Sequence, residues 1–140
     1  MCISRIIHHR EGEECVLNFH DIKLNNKDPV YIQIALYVKQ QILLKRAVSG
    51  DRLPSRREMA AQLNINPNTA QKAYKLMEDE GFVVTTGNQG SIIHVDDDIF
   101  KRIEDELTRG MVSEFIISAK EINLSFKRVV DLISEMWGED

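Results

Sequence analysis

Cysteine is scarce in this chain, aromatic residues are few, and long apolar runs are absent. Two cysteines, Cys2 and Cys15, are too few for the disulfide framework of a small secreted domain. No apolar run approaches the roughly 20 residues that cross a bilayer, so no membrane partner is expected. The first residues, MCISRIIHHREGEEC, carry too short an apolar run and too many charges for a signal peptide. A cytoplasmic protein is the expectation. Aromatic residues make up 6% of the 140 residues, so the core must rest on Leu, Ile, Val, Met and Ala. The patterns that carry chemistry are missing too. There is no glycine-rich phosphate loop, no nucleophile motif and no pair of carboxylates in a cleft-like pattern. Neither an enzyme nor a cofactor is expected. The length suits one domain with an appendage.

An excess of positive charge is lacking as well. The net charge is −4, which at first speaks against nucleic acid. Its distribution removes the objection. Residues 29–95 hold eight Lys and Arg against five Asp and Glu, whereas residues 96–140 hold six against twelve. A basic middle and an acidic tail fit a DNA-binding module joined to a part that does not touch DNA. Three regions follow: an N-terminal arm, 1–28, with little legible pattern; a central domain, 29–95; and a tail, 96–140. Within the arm, CVLNFHDI (15–22) alternates as a strand does.

What the chain does have is the stretch from Leu53 to Gly81, LPSRREMAAQLNINPNTAQKAYKLMEDEG. It reads as two helices joined by a tight turn. Ser55 is the N-cap of the first, with Glu58 three residues on, and the helix ends near Leu63. Asn64-Ile65-Asn66 forms the turn. Asn66 caps the second helix, Pro67 takes its first position, and Gly81 follows its end. Ala70, Ala73, Tyr74 and Met77 make a core-facing stripe at helical spacing, with Tyr74 a core residue. Asn68, Thr69, Gln71, Lys72 and Lys75 lie off it, and are side chains that reach base edges and phosphates.

Upstream, Asp28 as N-cap and Pro29 at the first position start a helix to about Arg46. Tyr31, Ile34, Val38 and Ile42 hold its spacing, and Leu36 and Leu43 are spare apolar positions. Downstream, Phe82–Thr86 is a β-branched strand, Gly87–Gly90 a hairpin turn and Ser91–Val95 the returning strand. The fold class is α+β, mainly α: a winged helix-turn-helix followed by a two-helix C-terminal dimerisation segment. In the tail, Ile99, Ile103, Leu107, Met111 and Phe115 recur every four residues, and Val112 and Ile116 widen the stripe. Gly110 is a mild interruption or a close-approach point. Asn123 is a C-cap and Ser125 an N-cap. A last helix from about Phe126 to Trp137 presents Val129, Val130 and Ile133.

PVYIQI, GDRLPSRREMA, NPNTAQKAYKLMEDEGF and a GxxG wing, in this order and spacing, resemble the GntR family of bacterial transcription regulators over residues 29–95. About 45 residues follow, forming two helices. This is similar to the short YtrA-like subfamily, whose two C-terminal helices mediate dimerisation. EINLSFKRVVDLI matches that subfamily's break between the helices, with Asn123 at its usual glycine. The resemblance implies that Arg57, near the start of the first helix of the motif, and Asn68 and Thr69, at the start of the recognition helix, contact DNA. Gln71 stands where other branches often place Arg. Gln89 stands where the wing usually carries Lys, and Asn88 where it usually carries Gly. The wing is thus less basic than the family pattern, and Asn88 is expected to take a left-handed backbone. Control of neighbouring transporter genes is a further implication of the subfamily.

The expected partner is double-stranded DNA, and the candidate contacts are Ser55, Arg56, Arg57, Asn66, Asn68, Thr69, Gln71, Lys72 and Gln89. Asn68 can pair bidentately with adenine, and the Thr69 methyl can meet thymine. Arg57 and Lys72, with Arg52 or Arg56, neutralise phosphates. A two-fold homodimer then reads a palindrome, most simply as a repressor. Its interface is expected from Ile99, Ile103, Leu107, Met111, Phe115, Val129 and Ile133, because a stripe that long is not buried by a short helix alone. An intramolecular hairpin packed on its own domain is the competing use of the tail. A small-molecule effector of unknown identity is a further candidate partner. Two other functions compete: a winged-helix module that binds protein instead of DNA, and a metal-responsive regulator using His8, His9, Cys15 and His20. Their spacing matches no tight ligand motif, and no metal ligand is assigned.

Overall fold

The computed structural model describes residues 15–138. Helix α1, Val30–Leu43, begins one residue later than expected. Pro29 is the N-cap residue, with ψ 136 and no side-chain cap. Asp28 therefore lies outside the helix. The buried Gln33 instead ties the preceding loop to the start of the helix. Its Nε2 donates to the carbonyls of Asn25 (3.0 Å) and Asp28 (2.7 Å), and its Oε1 accepts from the Asn25 N–H (2.7 Å). The helix also stops short of Arg46. Lys45 turns left-handed (φ 58), its N–H donates to Ile42 O (3.0 Å), and the Arg46 N–H donates to Gln41 O (2.9 Å). That is a Schellman ending with a lysine where glycine is usual. A left-handed backbone costs a side-chain-bearing residue about 1–2 kcal/mol. Lys45→Gly is expected to stabilise the protein by about 0.5–1 kcal/mol, raising its melting temperature by a few degrees in a thermal melt.

The motif itself forms as read. Helix α2, Arg56–Leu63, has Ser55 as N-cap, whose hydroxyl accepts from the Glu58 N–H at 3.1 Å. Asn64 supplies the left-handed residue (φ 52) that ends it. Helix α3, Pro67–Asp79, has Asn66 as N-cap, whose Oδ1 accepts from the Asn68 N–H at 2.8 Å. Gly81, with φ 87, follows its end. Helix α3 packs against α1, α2 and the first wing strand. Its stripe of Ala70, Ala73, Tyr74 and Met77 is fully buried, together with Ile34, Val38, Met59 and Phe82. Full burial of each larger apolar side chain contributes about 1.5–3 kcal/mol. Lys39, itself buried, reaches from α1 to Glu80 just past α3 (2.9 Å) and lies 5.6 Å from the centre of the Phe82 ring. That pair ties α1 to the chain just past the end of α3.

The wing is an antiparallel hairpin of β1, Val83–Thr86, and β2, Gly90–Ile93, with Val83 opposite Ile93 and Thr86 opposite Gly90. Asn88 is not left-handed. The left-handed residue is Gly90 (φ 70), which closes the three-residue turn, so glycine stands where the backbone requires it. The outer edge of β2 is covered: the Leu53 N–H donates to Ser91 O (2.9 Å) and the Ile93 N–H to Asp51 O (2.8 Å). Residues 15–22 do not form the expected strand. They make one bridge, Val16 with Arg52, flanked by Leu17 N–H to Arg52 O and Arg52 N–H to Cys15 O, both 2.8 Å. The chain then leaves the ladder as Phe19 buries against Tyr37 of α1, with ring centroids 5.3 Å apart. Alternation thus placed Cys15, Leu17 and Phe19 in the core without a sheet.

Helix α4, Asp97–Glu121, starts where the Asp96 carboxylate accepts from the Ile99 N–H (2.8 Å), with Asp97 and Asp98 in its first turn. It runs unbroken through Gly110, so no interruption occurs there. The chain divides into two units within α4, one ending at Ile103 and the other covering Glu104 onward. Ile103 belongs to the first unit, where it is 1% exposed. It has no surface left for a second subunit, which removes it from the expected dimerisation stripe. In the second unit, α4 ends in a turn with Asn123 left-handed (φ 57), and Ser125 caps helix α5, Phe126–Met136. Met111, Val112, Phe115, Leu124, Leu132, Ile133, Met136 and Trp137 line an apolar groove of ≈ 670 Å³ in this unit.

Candidate nucleic-acid interface

Two capped helix starts and the wing position the expected contacts. The start of α2 presents Ser55 and Arg57, both exposed. The start of α3 presents Asn66 and Asn68, with Gln71 and Lys72 one turn on, all exposed; Thr69 is half-buried. Arg57 and Lys72 form no ion pair among the described residues, so both cations are available to phosphates. Lys75 instead meets Asp79 at 3.6 Å. At the wing, the Gln89 N–H donates to the Thr86 hydroxyl (3.1 Å), and the Gln89 side chain is exposed at the turn.

A cleft of ≈ 520 Å³ lies between the start of α2 and the wing. It brings Ser55, Arg56 and Arg57 together with Gln89, and adds Val16, Arg52, Thr85 and Ser91. Asn66, Asn68, Thr69, Gln71 and Lys72 lie outside that cleft, on α3 and its cap. Arg56 differs from its neighbour. Its guanidinium sits 4.9 Å over the buried Tyr74 ring and donates to Glu78 Oε1 at 2.9 Å. Tyr74 is a core residue as expected, and its hydroxyl donates to Pro54 O. Burial pushes the Tyr74 pKa far up, Arg56 lowers it and Glu58 raises it, so the hydroxyl stays a donor. The residues that sequence reading missed here are Glu78, Thr85 and Ser91. Their only signal was a carboxylate on the last turn of α3 and two hydroxyls in the wing.

Among the described residues no three His, Cys, Asp or Glu side chains are grouped to hold a metal ion. Cys15 is buried, 7% exposed. His20 is exposed, and His8 and His9 lie outside the described residues. No helix among the described residues is long and apolar enough to cross a membrane.

Known proteins share this arrangement. The pattern described as "Bacterial regulatory proteins, gntR family" matches residues 30–93. The uncharacterized HTH-type transcriptional regulator YhcF of Bacillus subtilis is 36% identical over 111 residues, covering 79% of this chain and 92% of YhcF. The HTH-type transcriptional repressor YtrA of the same organism is 32% identical over 110 residues, covering 77% of this chain and 84% of YtrA. Among solved structures, a GntR family transcriptional regulator from Listeria monocytogenes superposes with a TM-score of 0.70 at 24% identity, covering 81% of this chain and 99% of that one. The last likeness speaks to the fold; the two relatives speak to descent, and both are transcriptional regulators and not enzymes. With a capped recognition helix, a two-stranded wing and these relatives, the chain belongs to the GntR family, on its YtrA-like side, and is a DNA-binding transcriptional regulator.

Proposed function

We propose that the protein is a cytoplasmic repressor that reads a palindromic operator as a homodimer. The observation that carries the dimer is the exposed apolar face of the second unit. Met111 is 68% exposed, Phe126 85% and Trp137 80%, and Phe115 and Ile133 are exposed beside the apolar groove. Monomeric proteins seldom leave a contiguous face of this kind in water. A second copy of the same two helices covers it by two-fold symmetry and sets two reading heads on one DNA. Repression is favoured by the relative YtrA, which is a repressor.

In this reading residues 29–95 form the reading head, 96–140 the dimerisation tail, and 1–28 an N-terminal arm. Ser55, Arg57 and Lys72 engage phosphates. Asn68 and Thr69 reach base edges, with Gln71 beside them, and Gln89 follows the wing. Asn66 holds the Asn68 backbone in place. Ile99, Leu107, Met111, Phe115, Val129 and Ile133 supply the interface.

The test is binding to the protein's own promoter over a salt series. About four phosphate-bound cations per dimer give a slope of log K against log salt near −4. Inverting one half-site is expected to abolish tight binding, and adding the protein to a purified transcription reaction is expected to lower transcript yield. Binding that ignores the palindrome, or a rise in transcript, overturns the proposal.

A further inference from the structure

One carboxylate oxygen joins three elements of the reading head directly, and a fourth through a hydroxyl. Glu78 Oε1, on the last turn of α3, accepts from Arg56 Nη2 of α2 at 2.9 Å and from the Thr85 hydroxyl of β1 at 2.5 Å. Thr85 Oγ1 lies 2.8 Å from the Ser91 hydroxyl of β2, its cross-strand partner in the register. Donor accounting sets the direction. Thr85 has a single hydroxyl proton, and it goes to the carboxylate, which only accepts. Ser91 must then donate to Thr85. The relay runs from Ser91 to Thr85 to Glu78, with Arg56 entering from the other side.

The position of this relay matters more than its strength. Thr85 and Ser91 are the cross-strand pair next to Thr86 and Gly90, which lead into the Gly87–Gln89 turn. The relay is thus a side-chain tie close to the wing tip. Its other end is rigid: Arg56 lies on the Tyr74 ring, and Tyr74 is buried and bonded to Pro54 O. The wing turn itself, Gly87-Asn88-Gln89, carries no cation. Its grip on DNA rests on where it is held, not on charge.

We infer that Glu78 is a positioning residue that sets the angle between the wing and the recognition helix. Arg56 and Thr85 are its two arms. Arg56 is thereby an internal strut, and its charge is answered within the domain instead of by a phosphate. This inference rests on the reading of α3 and the wing as the DNA-contacting elements.

The experiment uses the full chain and an operator fragment, with a salt series and hydroxyl-radical footprinting. Thr85→Val keeps the shape and removes the hydroxyl. It is expected to weaken binding by about fivefold to tenfold, the range of one lost hydrogen bond. Protection at the wing edge is expected to fade, with interference at the base read by Asn68 retained. The melting temperature should hold to within about 2 °C. Arg56→Ala is expected to weaken binding with the salt slope unchanged, whereas Arg57→Ala lowers that slope. An Arg56→Ala slope that drops as the Arg57→Ala slope does makes Arg56 a phosphate contact and overturns the inference. So does a Thr85→Val protein with normal affinity and normal wing protection. If Asn68→Ala and Gln89→Ala leave binding untouched, the reading of the contact surface itself fails. If they act while Thr85→Val does not, only the relay fails.

Discussion

Phe115→Glu is expected to leave a folded monomer that has lost about a thousandfold in affinity for the palindromic operator. Phe115 lies in the second unit, beside the apolar groove, and is 47% exposed in the single chain. A carboxylate there meets water at little cost in the monomer. In the proposed dimer the same position falls within the covered apolar face, and burying an unpaired charge costs several kcal/mol. Dissociation follows. The two reading heads then no longer share one effective concentration on the DNA, and the gain from linkage, about 10²–10⁴, is lost. Sedimentation velocity checks the first half of the prediction, and titration against whole and half operators checks the second. Half-operator affinity is expected to be the same for the wild type and the variant. A Phe115→Glu protein that sediments as a dimer, or that keeps tight palindrome binding as a monomer, sinks the proposal.

Arg57→Ala and Asn68→Ala are expected to damage the same complex in two different ways. Arg57 is exposed, has no internal ion pair among the described residues, and stands beside the cap of α2. Removing it deletes one cation per protomer, so the slope of log K against log salt falls by about two per dimer, and every DNA sequence is affected alike. Asn68 is uncharged. Losing its pairing costs about 1–3 kcal/mol per half-site, relaxes preference at one base position in each, and leaves the salt slope as it was. Both measurements come from one set of titrations on the operator, a point-mutated operator and random DNA. An Asn68→Ala protein that still discriminates at every position places the base reader elsewhere.

The reading head was legible because its signals are local and stack up. Ser55, Asn66, Pro67 and Gly81 each have one conformational job, and each does it. The α3 stripe is periodic, so its burial followed. What stayed hidden depends on partners far along the chain. Nothing near Gln33 announces that it ties the Asn25 backbone to α1 across eight residues, and Pro29 reads as a first-turn residue when it is the cap. Ile103 keeps the same four-residue beat as Met111, yet one is buried in the head and the other exposed on the tail. Periodicity shows that a face is apolar; it does not show against what that face packs. Arg56 and Arg57 are neighbours of one type, and only the tertiary placement of Glu78 and Tyr74 separates them. The family resemblance puts glycine's conformation on Asn88, whereas the hairpin register places that need on Gly90.

The cation-free wing turn has a consequence at the scale of the chromosome. Sequence-blind attachment to DNA comes almost wholly from cations that displace counterions, so a wing turn without them adds little to the hold on arbitrary DNA. A genome offers about 10⁶–10⁹ such competing positions. A protein that lingers at few of them leaves a larger share of its copies free in solution. For the proposed repressor, occupancy of the operator would then track the number of molecules made more directly.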